Sequence, residues 1–168
     1  MKSKFFIILI SIFFFENLFG ENISIVASNV TLEKEKNLTI FEKNVIITTK
    51  NKTIKSDYVR YDKKNGYLII KDNILAVDDK KNTIQTNYAE YFEKKQVLKT
   101  RGKTQIKTSE NYILIGEDLF VDNINKIIKS EKKSVIKDQD RNEIFLENFE
   151  YSIEGNLFKS IGSIKIMI

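Results

Sequence analysis

Apolar and polar residues alternate in short runs along most of the chain. Val59-x-Tyr61, Leu68-x-Ile70 and Ile74-x-Ala76 repeat with period two. That period predicts β-strands with one face buried and one face wet. Ile, Val, Tyr, Phe and Thr supply the alternating positions, and these residues suit a pleated, half-buried surface. Turn signals break the runs about every 15 residues. They are Asp62–Gly66, Asp78–Asn82, Glu93–Gln96, Ser109–Asn111, Asp122–Asn125, Asp138–Asn142 and Glu154–Asn156. Asn65-Gly66 is the clearest, because it accepts positive φ at little cost. The pattern predicts about ten strands of about 9–11 residues joined as hairpins, with no linker dividing them.

The hairpins repeat. DYVRYDKKNGYLIIKDN from Asp57, NYAEYFEKKQVLKTRGK from Asn87, EDLFVDNINKIIKSEKK from Glu117 and ENFEYSIEGNLFKSIGS from Glu147 start 30 residues apart. Tyr61, Tyr91, Val121 and Tyr151 share one column, Val59, Ala89, Leu119 and Phe149 a second, and Leu68, Leu98, Ile128 and Phe158 a third. An earlier copy begins at Ser28 and matches with one residue deleted, placed near Asn37. A fixed period of this length marks a repeat of one supersecondary unit.

Within each unit the parity of the apolar positions slips. Ile54 and Ser56 share one parity, Val59 and Tyr61 the other; Ile84 and Ala89, Leu114 and Leu119, and Ile144 and Phe149 repeat the slip. A regular slip predicts a bulge at which each strand bends, turning one sheet into two facing leaves. Gly102 and Gly162 share a column with Asp72 and Lys132, the expected place for the kink.

The first twenty residues depart from this pattern. Lys2 and Lys4 precede an apolar run, Phe5–Phe15, which is closed by Glu16, Asn17 and the small Gly20. This is the layout of a secretory signal peptide, and the run is too short for a membrane helix of ~20 residues. Removing residues 1–20 takes the formal charge from +5 to +4. The remainder, 21–168, reads as one domain. An exported chain without cysteine fits a bacterial envelope better than a disulfide-rich exterior.

Composition then limits the chemistry. The 168 residues contain no His, Cys, Pro or Trp. Catalytic triads with His, thiol nucleophiles, and His or Cys metal sites are excluded. No phosphate loop, dinucleotide fingerprint or complete calcium loop appears, so no cofactor or metal is expected. Carboxylates such as Asp62, Asp78, Asp79 and Glu93 sit at turns, and no fixed pair marks glycosidase chemistry. The expectation is a protein that is not an enzyme. Ile and Lys make up nearly a third of the chain, as an AT-rich genome would impose. The basic pairs Lys63-Lys64, Lys80-Lys81, Lys94-Lys95 and Lys132-Lys133 read either as anion contacts or as edge-protecting, solubilising lysines. Interspersed acids and export argue against nucleic acid.

Several of these segments resemble a known family. Ser56–Asp62, the strand Leu68–Ile74 and Thr83–Thr86 are similar to the OstA-like repeat of lipopolysaccharide-transport proteins, which include LptA and the N-terminal periplasmic domain of LptD. Lys43–Ile47 is similar to the family's G-N-V-x-I strand with Lys in place of Gly, while Arg101-Gly102-Lys103 keeps the glycine. Phe145–Tyr151 and Asn156–Gly162 are most similar to the LptD domain. The resemblance covers residues 25–168. It implies an all-β, open, twisted, V-shaped β-jellyroll in the periplasm, associated with the outer membrane, whose inner face cradles lipid A acyl chains.

On that reading the lipid groove is lined by Val59, Tyr61, Leu68, Ile70, Ile74, Ile84, Tyr91, Leu98, Ile106, Leu119, Val121, Ile128, Phe149, Tyr151 and Phe158. The resemblance also implies docking to other jellyrolls of the transport system, or head-to-tail self-association, by β-augmentation. Val26, Ala27 and Val30 stand on the receiving edge, and Ile164 and Ile166 on the donating edge. The chain reaches Ile168 partway through its fifth copy, which leaves LptA and the LptD domain both open. Two other readings stand beside this one: a structural interaction module with a dry core, and a β-helical glycan-processing enzyme. Hairpin turns such as Asn65-Gly66 speak against the last.

Overall fold

The computed structural model describes residues 24–49, 51–140, 142–152, 154–155 and 157–167. The signal-peptide expectation for residues 1–20 lies outside them, as does Ile168. The strands in chain order are β1 Ser24–Val26, β2 Asn29–Glu33, β3 Leu38–Thr48, β4 Lys52–Asp62, β5 Tyr67–Asp78, β6 Thr83–Phe92, β7 Val97–Thr100 and β8 Lys103–Lys107. They continue as β9 Ile113–Glu117, β10 Phe120–Asp122, β11 Ile127–Ser130, β12 Ser134–Lys137, β13 Glu143–Leu146, β14 Phe149–Ser152, β15 Leu157–Lys159 and β16 Ile164–Met167. All pairings are antiparallel and belong to one sheet.

The sheet folds over into two leaves. One leaf runs β2, β3, β4, β5, β6, β7, β10, β11, β14, β15. The other runs β1, β3, β4, β5, β6, β8, β9, β12, β13, β16. Strands β3 to β6 pass through the bend and serve both leaves. The sheet stays open, because β1, β2, β15 and β16 each pair on one side only among the described residues. The chain is thus an all-β, curled jellyroll built from hairpins.

The parity slip marks the bend. Between β3 and β4 the register jumps from Glu42↔Tyr58 to Val45↔Ser56, so two residues face one. The same jump separates Lys71↔Tyr88 from Ile74↔Thr86 between β5 and β6. The extra residues are left-handed: Lys43 and Asn44 (φ 62° and 52°), then Asp72 and Asn73 (φ 62° and 51°). Asn and Asp tolerate that region better than most residues. Gly102 (φ 73°) and Gly162 (φ 105°) continue the column. Nothing lies within 4 Å of a Cβ built on Gly102, so backbone conformation and not space calls for glycine there.

Ten unbroken strands were expected, but after β6 the strands divide at the bend into half-strands. Breaks at 101–102, 118–119, 131–133, 147–148 and 160–163 leave backbone groups that no ladder reaches. Isolated backbone bonds remain there, from Thr100 N to the Leu119 carbonyl, Arg101 N to the Tyr88 carbonyl and Asp118 N to the Gly102 carbonyl, and side chains add to them. Leu119 N donates to Thr100 Oγ1 (3.0 Å), Ser130 Oγ donates to the Glu117 carbonyl (2.6 Å), and Ser160 Oγ donates to the Asn148 carbonyl (2.8 Å). The Thr104 hydroxyl lies 2.8 Å from Thr100 Oγ1 and 3.1 Å from Thr86 Oγ1.

The deleted residue falls elsewhere than near Asn37. The left-handed residues Asn37, Gly66, Gln96 and Lys126 close equivalent turns, with the first interval one residue shorter than the rest. Pairs on both sides of Asn37 keep that offset, such as Ser28 with Asn44 against Asp57 with Asn73. The turn closed by Thr49 N→Lys52 O is one residue shorter than those closed by Asp78 N→Asn82 O, Thr108 N→Tyr112 O and Asp138 N→Asn142 O. The deletion therefore lies between β3 and β4. A turn absorbs it without disturbing register, whereas a one-residue slip within a strand would flip every side chain.

Candidate functional site: the space between the leaves

The inner faces of the two leaves meet along the length of the molecule. Val59, Leu68, Ile70, Ile74, Ile84, Tyr91, Leu98, Ile106, Leu119, Val121, Ile128, Phe149 and Tyr151 are all buried there. Tyr61 and Phe158 are half-buried and pack against the same cluster. Phe158 stacks on Phe149 at 5.8 Å between ring centroids. All fifteen residues expected to line a groove therefore share one apolar face. The sequence reading omitted Val45, Ile47, Ile54, Ala76, Ala89, Leu114, Ile136 and Leu146, which are buried in the same cluster. Their signal was available, since Ile54, Ile84 and Leu114 stand 30 residues apart.

The leaves are in close contact. Val59 is 0% and Ile106 1% exposed. A cavity of about 30 Å³ lies between the leaves at the N-terminal end, bounded by Ile25, Ile47, Leu68, Ile74, Ala89 and Tyr91 among others, with apolar walls. Burial, helped by the Glu93 carboxylate, pushes the Tyr91 phenol up to about 12, and burial raises that of Tyr151 as well.

At the bend the inner face changes character. Ser56, Thr86, Thr100, Thr104, Ser130 and Ser134 are buried and form a line of hydroxyls along the fold. Sequence reasoning missed this line, although Ser56 and Thr86, Thr100 and Ser130, and Thr104 and Ser134 each stand one period apart. Gly116 occupies the column of Ser56 and Thr86, and a Cβ there would meet Ser134 Oγ at 2.8 Å. The missing side chain makes room for the hydroxyl.

The two ends expose edge strands, each paired on one side only among the described residues. Val26 and Val30 on β1 and β2, and Ile164 and Ile166 on β16, are more than half exposed. Leu32, Leu157, Ile161 and Met167 add to these apolar ends. Ala27 instead turns inward against the core at the bend between β1 and β2.

The turns are held by short side chains. Asp62 and Asp122 each accept the backbone N–H of the residue three positions on, Asn65 and Asn125, at 3.0 and 2.9 Å. The Asn65 amide and backbone N–H hold the Asp62 carboxyl below its usual range. Burial pushes the Asp122 carboxyl up, but bonds from Asn125 and Ile124 outweigh it and the net shift is downward. Asp78 and Asp138 clamp Asn82 and Asn142 in the same manner at the opposite turns. The acids at these turns are therefore occupied by local structure. Among the described residues no group of three or more acids could hold a metal ion.

No family model matches this chain, and no curated protein matches it. Among solved structures it is similar to LptH of Pseudomonas aeruginosa, the LptA-homologous periplasmic component of a conserved lipopolysaccharide transport device. The identity is 10% and the TM-score 0.37, with 89% of this chain and 96% of that chain covered.

Proposed function

We propose that this chain is a non-catalytic periplasmic module of lipopolysaccharide transport and outer-membrane assembly. It holds lipid A acyl chains between its leaves and joins neighbouring jellyrolls through its edge strands. One observation carries the reading: an apolar interior runs between two leaves and ends, at both extremities, on strands paired on one side only. Edge strands with exposed Val26, Val30, Ile164 and Ile166 suit extension by a further strand, since main-chain bonds supply affinity and apolar side chains the fit. The partners on this reading are lipopolysaccharide, other jellyrolls of the transport system, and further copies of this chain head to tail.

Lipid entry requires the leaves to part. Small-molecule pockets measure ~300 Å³ or more, about ten times the cavity between these leaves. From β7 onward the bend is the natural hinge, because half-strands meet there through side chains and isolated backbone bonds and not through a continuous ladder. Photocrosslinking from Tyr91 or Ile106 in a lipopolysaccharide-making host tests the reading. Lipopolysaccharide adducts are expected, and their absence from every inward position would overturn it.

The small cavity also favours a second reading, an interaction module with a dry core. On that reading a crosslinker at Ile166 captures partner proteins while Tyr91 and Ile106 give no lipid adduct.

A further inference from the structure

A second concavity opens at the bend on the outward face of β7, β10 and β11, and its lining reaches in to Thr100, Leu119 and Ser130. Its volume is about 560 Å³, and Lys99, Arg101, Phe120, Lys129 and Lys132 line it together with Glu90. Register brings these residues together. Phe120 of β10 stands opposite Lys99 of β7 on one side and Lys129 of β11 on the other. The Lys99 and Lys129 ammonium groups lie 5.8 and 5.2 Å from the centre of the Phe120 ring. Three residues scattered over 30 positions of sequence thus form one unit, an aromatic floor with a cation on each flank.

Glu90 and Glu150 stand cross-strand from Lys99 and Lys129, but among the described residues neither lysine is ion-paired with a carboxylate. Glu90 has a side chain only 9% exposed and is bound by Arg101 Nη2 at 2.6 Å and by the Tyr88 hydroxyl at 2.8 Å. Asp118 accepts the Gly102 N–H at 2.7 Å. Glu131 stands exposed at the rim beside Lys132. Among the described residues Lys99, Lys129 and Lys132 enter no ion pair, although Lys36 and Lys137 elsewhere do. Turn lysines such as Lys63, Lys64, Lys80 and Lys81 are simply exposed. The cleft differs from them in being concave and aromatic-floored, with four cations (Lys99, Arg101, Lys129 and Lys132) against three carboxylates (Glu90, Asp118 and Glu131).

We propose that this outer cleft binds a phosphoryl group, carried by a phosphorylated headgroup or as free phosphate. Lys99 and Lys129 would each give a charge-assisted bond to phosphoryl oxygens, with Lys132 closing the rim. The site goes beyond the interior reading and stands whether or not the leaves take lipid.

Titration calorimetry at low salt tests it with two probes: inorganic pyrophosphate, and detergent micelles carrying a monophosphorylated lipid. Saturable binding of at least one is expected. The double variant Lys99→Gln/Lys129→Gln should weaken it about tenfold or more, while Lys63→Gln/Lys64→Gln, with the same loss of charge, should change it less than about twofold. Pyrophosphate binding assigns the site to free phosphate chemistry, and binding of the micelles alone assigns it to a headgroup. Equal weakening in both double variants, or saturable binding of neither probe, would overturn the proposal. An unchanged thermal midpoint in both variants confirms that the fold is intact. Lipid crosslinking from Tyr91 is a separate readout, so the two readings fail independently.

Discussion

Strands β3 to β6 and strands β7 to β16 solve the same problem in different ways. Both must carry a 30-residue hairpin around a bend. In the N-terminal part, bulges at Lys43-Asn44 and Asp72-Asn73 absorb the bend, so the backbone ladder runs on through it. In the C-terminal part the strands break, leaving isolated backbone bonds such as Thr100 N to the Leu119 carbonyl and Arg101 N to the Tyr88 carbonyl, and hydroxyls of Thr100, Ser130 and Ser160 take up further backbone groups. The first solution stores its cost in left-handed backbone, about 1–2 kcal/mol for each ordinary residue. The second depends on buried side-chain bonds. The bend is therefore stiffer on one side of β6 than on the other, and any parting of the leaves is easiest from β7 onward.

Core truncation should show the largest effect. Ile70→Ala and Ile128→Ala should each cost about 2–5 kcal/mol, read from urea midpoints. Hydrogen exchange sharpens the comparison. Ile128→Ala should accelerate exchange in β10 to β16 while β3 to β6 stay protected, whereas Ile70→Ala should loosen the whole sheet. Uniform acceleration in both would erase the distinction between the halves.

Thr104→Val should follow, at about 1–3 kcal/mol, because it removes a buried hydroxyl within bonding distance of Thr86 and Thr100. Ser56→Ala, whose hydroxyl makes one long 3.5 Å contact in the N-terminal part, should cost less than about half as much. Comparable losses would show that both halves depend on hydroxyls alike.

Gly102→Ala should cost about 1–2 kcal/mol through backbone strain alone, since its Cβ meets nothing. Asp72→Gly, at the equivalent position, should be neutral or mildly stabilising because it relieves a left-handed non-glycine residue. Paired thermal melts would check both signs.

The smallest effects are pH-dependent. The Tyr91 phenol is raised to about 12, so its contribution is intact below the ordinary value of 10.0 and is lost as pH climbs towards 12. Tyr67, raised to about 12 by burial and the Glu90 carboxylate, behaves alike. Tyr91→Phe should retain stability over that alkaline window, followed by denaturant midpoints. In the other direction the depressed carboxyls of Asp62 and Asp122 contribute above the ordinary value of 3.8 and lose that contribution as pH falls below it. Asp122→Asn should flatten the acid limb slightly.

Much of this architecture was legible in the residues. The parity slip between Ile54 and Val59 announced the bend, and the column of Gly102 and Gly162 located it. The inner face was readable because alternation reports which side of a strand avoids water. Two things were not readable. The broken strands look like continuous ones, since the parity slips alike at the unbroken bends (Ile54 to Val59, Ile84 to Ala89) and at the broken ones (Leu114 to Leu119, Ile144 to Phe149). The outer cleft was hidden as well: Lys99, Phe120 and Lys129 become neighbours only through the register of three strands.

By itself, then, the sequence determined the hairpin period, the two-leaf bend and the apolar face, because each follows from a periodicity local to the chain. Tertiary structure alone decided that the leaves close to a cavity of about 30 Å³. It also decided where the missing residue falls, and that cations gather around Phe120. Those depend on cross-strand register and on how two faces fill the space between them, and both are set by contacts among residues a full repeat or more apart.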